Sequence, residues 1–119
     1  MVGVLMLEVS PAVITAFEND RVEHTTKAFA EIIRSAHPGI VNAMPEAELL
    51  IRTRTGIELC QRHHVQTRRD IMILCLVHVM YGRGALDSPD FAWIRPILDE
   101  PPSEPDTRAY RIHCKLAEG

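Results

Sequence analysis

One uninterrupted apolar run, Ile71-Met72-Ile73-Leu74-Cys75-Leu76-Val77-His78-Val79-Met80-Tyr81, constrains this chain more than anything else in it. Apolar side chains point in every direction around such a segment, so it has to be surrounded by protein. Its borders decide between helix and strand. Thr67-Arg68-Arg69-Asp70 resembles a capping box with Asp in place of Glu, and Gly82 and Gly84 close the far end. A buried parallel strand would call for a second apolar β run and βαβ spacing, and the sequence offers neither. The run therefore predicts a buried central helix over about residues 67–81. It falls short of the roughly 20 residues of a membrane span.

The rest of the chain supplies elements to cover that helix. Ser10-Pro11 is a helix start, since Ser caps free N–H groups and Pro suits the first helical position. His37-Pro38-Gly39 is the matching stop. Between them Val13, Phe17, His24, Ala28, Ile32 and Ala36 form a helical stripe, with Val22, Phe29 and Ile33 as a second row beside it. Glu18 to Lys27 is polar except for Val22, which predicts an exposed or bent middle. Pro45-Glu46 opens a second helix, whose apolar positions are Ala47, Leu50, Ile51, Ile57 and Cys60 and which closes over Arg62 to Gln66. Gly56 inside it costs about 1 kcal/mol against Ala and marks a close helix crossing. Phe91 to Leu98 is a short helix or an irregular packed segment limited by Pro96, and Glu100 to Pro105 is a rigid connector. Pro105 is the predicted start of a last helix, with Asp106 in its first turn and Tyr110, Ile112, Cys114 and Leu116 as apolar positions. The expected fold is all-α: a compact bundle of four main helices plus a short helical segment. Residues 1–119 form one domain, with a loosely attached N-terminal segment over residues 1–9. That segment has no basic residue ahead of its apolar run and no small-residue cleavage site, so it does not read as a signal peptide.

Composition removes several classes of function. Hydrophobic residues are 46% and charged residues 24% of 119, which excludes a disordered or low-complexity chain. Net charge is −3, and the basic excess is confined to residues 45–86. A nucleic-acid binder carries a basic stripe on a basic domain. A helix-turn-helix over residues 45–81 also fails, because its second helix would have no polar face for base edges. The three cysteines, Cys60, Cys75 and Cys114, are an odd number with no disulfide-framework spacing, which fits a reducing cytoplasm.

Two constellations have chemical content. Cys60 and His64, four apart, would share one helix face as metal ligands, with Cys75/His78 or His113/Cys114 completing the set. No Cys-x-x-Cys pair and no His-Glu-x-x-His accompanies them, so His63 and His64 read better as cationic groups at a helix end, and no cofactor is expected. A small metal-dependent hydrolase is the enzymatic alternative. His78, within the apolar run, reads as a core histidine with a backbone or hydroxyl partner. The second constellation is a docking surface. Arg52 and Arg54 lead a basic segment continued by Arg62, Arg68 and Arg69, while Phe91 and Trp93, with Tyr81, hold half of the aromatics. Arg52, Arg54, Phe91 and Trp93 are the candidate partner-binding residues, an apolar anchor rimmed by charge.

The order of motifs also resembles a family. Arg54-Thr55-Gly56-Ile57-Glu58 is followed by His64-Val65-Gln66-Thr67-Arg68-Arg69-Asp70-Ile71. Then come Tyr81-Gly82, Asp87-Ser88-Pro89, Trp93-Ile94 with Ile97-Leu98, and Pro105-Asp106-Thr107-Arg108. The pattern is similar to small helical bacterial proteins encoded beside type VI secretion effectors and their chaperones. It is strongest from Gly56 to Arg108. The chain departs from it at Gly84, where a Phe is more usual, and at His64-Val65, which replaces a common Gly-Ile. The resemblance implies a cytoplasmic accessory or co-chaperone protein, not an enzyme, that binds a secreted effector or its chaperone. It supplies no catalytic residues. An immunity protein that neutralises a cognate toxin is the alternative of the same binding type. A homodimer is a further possibility, because an all-apolar helix can be buried within one subunit or between two.

Overall fold

The computed structural model describes the backbone of residues 11–118 and the side chains from residue 19 onward. The N-terminal segment over residues 1–9, the Ser10 cap, and the side chains of Val13 and Phe17 lie outside the described residues. Four main helices carry the fold: α1 (Pro11–Ala36), α3 (Glu46–Arg62), α4 (Arg68–Tyr81) and α6 (Arg108–Glu118). Two short helices, α2 (Pro38–Val41) and α5 (Ile94–Leu98), and two 3-10 turns at Ala85–Asp87 and Pro89–Phe91 fill the connections. No strand occurs among the described residues.

The α3–α4 hairpin is the frame. Gly56 is its closest point: a Cβ added there would lie 2.6 Å from the Cys75 Cα and 3.1 Å from its Sγ. Only a residue without a side chain lets the two backbones meet at that distance. The missing methyl also leaves Cys75 Sγ able to donate to the Thr53 carbonyl at 3.5 Å. The loop that turns the hairpin is a Schellman motif. His64 takes φ 57°, and Val65 N–H donates to the Cys60 carbonyl at 2.9 Å. A left-handed residue is normally Gly there, so His64 stands where a side chain is least welcome. Thr67 then caps α4, its Oγ1 accepting the Asp70 N–H at 3.2 Å, and Gly82, at φ 100°, ends it by donating to the His78 carbonyl.

Two apolar clusters lie on this frame. In the first, Phe29, Ala30 and Ile33 of α1 and Val41 of α2 pack on Leu49, Ile57, Cys75 and Val79. In the second, Leu59, Val65, Leu74 and Val77 meet Leu86, Ile94 and Leu98 together with Ala109 and Ile112 of α6. Burying each Val, Leu, Ile or Phe in this way contributes about 1.5–3 kcal/mol before the entropy of ordering it is charged.

Several sequence expectations change here. On α1 the second row is the inward one: Val22, Thr26, Phe29, Ala30 and Ile33 are buried, whereas His24, Ala28, Ile32 and Ala36 are exposed. Thr26 and Ala30 complete the stripe because Thr26 satisfies its own hydroxyl, donating to the Val22 carbonyl at 2.6 Å. The helix is continuous through its polar middle. The last helix begins at Arg108, not Pro105. Asp106 acts ahead of it, accepting the Arg108 N–H at 3.1 Å, while Pro105 belongs to the connector and follows a cis peptide bond. Pro96 is tolerated inside α5 because it stands in the first turn, where no intrahelical donor is missed. Among the described residues the central helix is covered on two sides only. Leu74, Cys75, Val77 and Val79 are buried, Ile71, Met72, Ile73 and Leu76 are half-buried, and Met80 and Tyr81 are 49% and 44% exposed.

Candidate functional site

The partner-binding residues read from the sequence do not form one face. Arg52 is a structural bracket. Its Nε donates to Glu48 at 2.7 Å and its Nη1 to the Val79 carbonyl at 3.0 Å, while Glu48 also takes Arg83 at 3.2 Å. The Arg52 hydrogen bond, foremost, holds the Glu48 carboxyl below its ordinary range. The three groups tie α3 to the last turn of α4. Arg54 lies on the side of α3 that borders α1, in a depression with Glu23, Thr26 and Lys27, and 3.5 Å from Glu58. Phe91 is half-buried against Tyr81, with ring centroids 4.8 Å apart, and so also meets the last turn of α4. Trp93 is half-buried, donating from Nε1 to the Asp90 carbonyl at 3.2 Å and lying under Lys115 Nζ at 4.5 Å. Arg52 and Phe91 thus touch the same end of α4 through Val79 and Tyr81, and Arg54 is apart from both.

The proposed metal pair separates. Helix α3 ends at Arg62, so His64 lies past the helix and outside the register that would align it with Cys60. Cys60 points into the core, where burial pushes its thiol up to about 12, with the nearby Asp70 carboxylate adding to the effect. His64 is exposed, and His63 turns toward Asp99 at 3.8 Å. Among the described residues no three His, Cys, Asp or Glu side chains are grouped to hold a metal ion.

His78 is a core histidine with a backbone partner. It is buried, and its Nδ1 lies 2.9 Å from the Leu74 carbonyl, which only accepts, so Nδ1 carries the proton. Burial, ahead of the opposing hydrogen bond, lowers its pKa below the ordinary 6.5. The folded protein therefore holds His78 neutral while the unfolded chain protonates it below about pH 6.5. Its contribution to stability is complete above that pH and is lost as pH falls beneath it. Urea denaturation between pH 7 and 5 should show stability falling with a slope of at most about 1.4 kcal/mol per pH unit from this group. The slope should flatten in His78→Gln. An identical slope in the variant would assign the dependence elsewhere.

The sequence reading missed Arg108. It is 2% exposed and fully engaged. Nε and Nη2 clamp the Asp106 carboxylate at 2.9 and 2.7 Å, and Nη1 donates to the carbonyls of Leu98 at 2.9 Å and Glu100 at 3.2 Å. Its hydrogen bond holds the Asp106 carboxyl below the usual range. Glu100, at the start of the connector, is clamped by Arg111 at 2.5 and 3.1 Å. The sequence carried Pro105-Asp106-Thr107-Arg108 as a motif, but Asp-x-Arg beside a helix start does not by itself give the arginine's buried partners.

Several depressions, of about 230 to 510 Å³, mark the surface of the described residues. One, about 510 Å³, lies between α1 and α3 over Val22, Ile57, Cys60, Val65 and Ile71. Another, about 230 Å³, is a groove with α4 as its floor. Ile73, Leu76 and Met80 run along the floor, with His37 on one wall and His113 and Leu116 on the other. It is the most continuous apolar strip left uncovered among the described residues.

Comparison of the chain with protein-family models, with curated proteins and with solved structures gives no match. The fold and the groove therefore carry the functional argument. No helix among the described residues is long and apolar enough to cross a membrane.

Proposed function

We propose that the chain is a non-enzymatic accessory or co-chaperone protein of the bacterial cytoplasm. It binds a type VI secretion effector, or the chaperone that loads it, and regulates delivery of the effector. The partner class rests on the motif order from Gly56 to Arg108. The observation that carries a binding role is the uncovered apolar strip of α4, where Met80 is 49% and Tyr81 44% exposed beside half-buried Ile73 and Leu76. Large apolar side chains in one continuous strip are the surface feature expected of a partner-binding protein. Phe91 supports the strip from behind through Tyr81.

The test is affinity capture of the tagged protein from its native bacterium, beside Met80→Asp. Recovery of a type VI effector or its chaperone by the unaltered protein, lost in a folded Met80→Asp variant, is the expected result. Capture of neither class would overturn the assignment. If the chain alone, co-expressed with the captured effector, abolishes that effector's toxicity, the immunity role replaces delivery.

A further inference from the structure

We infer that the groove over α4 is the seat of an acidic amphipathic helix of the partner. The inference rests on the binding role just proposed and adds the chemistry and geometry of what is bound.

The groove has the shape of a missing helix. Its floor is the outer face of α4, where Ile73, Leu76 and Met80 stand three and four residues apart along one side. From Ile73 to Tyr81 that face runs about 12 Å, a little over two helical turns. The walls are themselves helical: the C-terminal end of α1 at His37, and α6 at His113 and Leu116. A helix that laid one apolar stripe on this floor would be flanked on both sides, as in helix-in-groove recognition.

Charge selects the occupant. The exposed residues of α4 are Arg68, Arg69, Met80 and Tyr81, and its one acid, Asp70, is 2% exposed. Both arginines lie N-terminal to the residues that line the groove, Arg69 four residues before Ile73 on the same side of α4 and Arg68 further round the helix toward α1. Arg68 lies over the Phe29 ring of α1 at 5.7 Å, and Arg69 over the Tyr110 ring of α6 at 5.7 Å. Arg68 has no ion pair among the described residues, and Arg69 only a 3.5 Å approach to buried Asp70. Two exposed cations at the N-terminal end of α4, on a chain of net charge −3, form a local field that attracts carboxylates and repels basic segments. The N-terminal end of α4 adds positive potential of its own. The bound helix therefore lies antiparallel to α4, with its acidic C-terminal end toward Arg69.

The probe is a pair of synthetic amphipathic peptides of about 18 residues, with the same Leu stripe and either Glu or Lys on the polar face. Binding to the whole protein is read by fluorescence anisotropy at low and high salt, and each variant is checked by its melting curve. The Glu peptide should bind at least about tenfold more tightly than the Lys peptide, with the difference shrinking as salt rises. Arg68→Glu/Arg69→Glu should reverse the preference, and Met80→Asp should abolish binding of both. Equal binding of the two peptides, or a charge-reversed variant with the original preference, would overturn the inference. So would a dimer that Met80→Asp dissolves, which gives the groove to a second copy. Tighter peptide binding after removal of residues 1–9 gives it to the chain's own N-terminus, and Met80-dependent binding to phosphatidylserine vesicles in place of either peptide gives it to a membrane surface. Effector capture that depends on Met80 but is indifferent to Arg68 and Arg69 would leave the accessory role standing and remove the acidic helix. A groove that prefers the Glu peptide in a protein that captures no effector would do the reverse.

Discussion

Gly56→Ala is expected to lower the melting temperature by about 10 °C or more, a loss of about 3 kcal/mol, even though Ala is the better helix former. The added methyl would meet the Cys75 Cα at 2.6 Å and its backbone nitrogen at 3.0 Å. Backbone cannot rotate away as a side chain can, so α3 and α4 must separate along the contact that both apolar clusters share. The obvious rescue should fail for the same reason. Cys75→Ala removes only the Sγ, leaves the Cα in place, and should restore little of the loss. Thermal melts of the two single variants and the double variant check this. Full recovery in the double variant would show that the thiol, not the backbone, sets the spacing.

The second large effect lies at the start of α6. Arg108→Met should cost about 3–5 kcal/mol, read by urea denaturation. The substitution keeps most of the apolar stem but abandons the Asp106 carboxylate and the carbonyls of Leu98 and Glu100, which Arg108 satisfies together. Asp106→Asn should cost less, because the amide still accepts one hydrogen bond from the guanidinium. The two changes should be strongly non-additive: once Arg108 is gone, neutralising Asp106 removes an uncompensated charge. A loss below about 1 kcal/mol for Arg108→Met would mean that water replaces the guanidinium at this site.

Much of the architecture was legible because its signals are local. The Thr67 cap, the Gly82 stop, the stop at His37-Pro38 and the close approach at Gly56 each follow from one residue's backbone chemistry, and the structure has all four. The side α1 turns inward was misread because the inward stripe contains Thr26, a polar residue whose hydroxyl is satisfied within its own helix. Counting it as polar shifted the stripe onto Ala28 and Ile32. The start of α6 was misplaced because Pro105 is as good a helix opener as Pro11, and only the Asp106–Arg108 clamp shows that the helix waits until Arg108. The site was less legible still. Arg52 and Arg54 are two apart in sequence, yet one braces α4 and the other borders α1. The α4 groove is set by how far apart α1 and α6 stand, a tertiary quantity that no sequence spacing records.

The α3–α4 hairpin contributes to both apolar clusters and is closed by a loop of only residues 63–67. Its contacts are short in sequence, whereas those that bring α1 and α6 onto it span longer stretches of chain. Contacts of low sequence separation carry the smallest loop-closure entropy. Assembly is therefore expected to run from the middle of the chain toward its two ends. A ribosome that has released residues 46–81 has released the part of this protein on which everything else is laid.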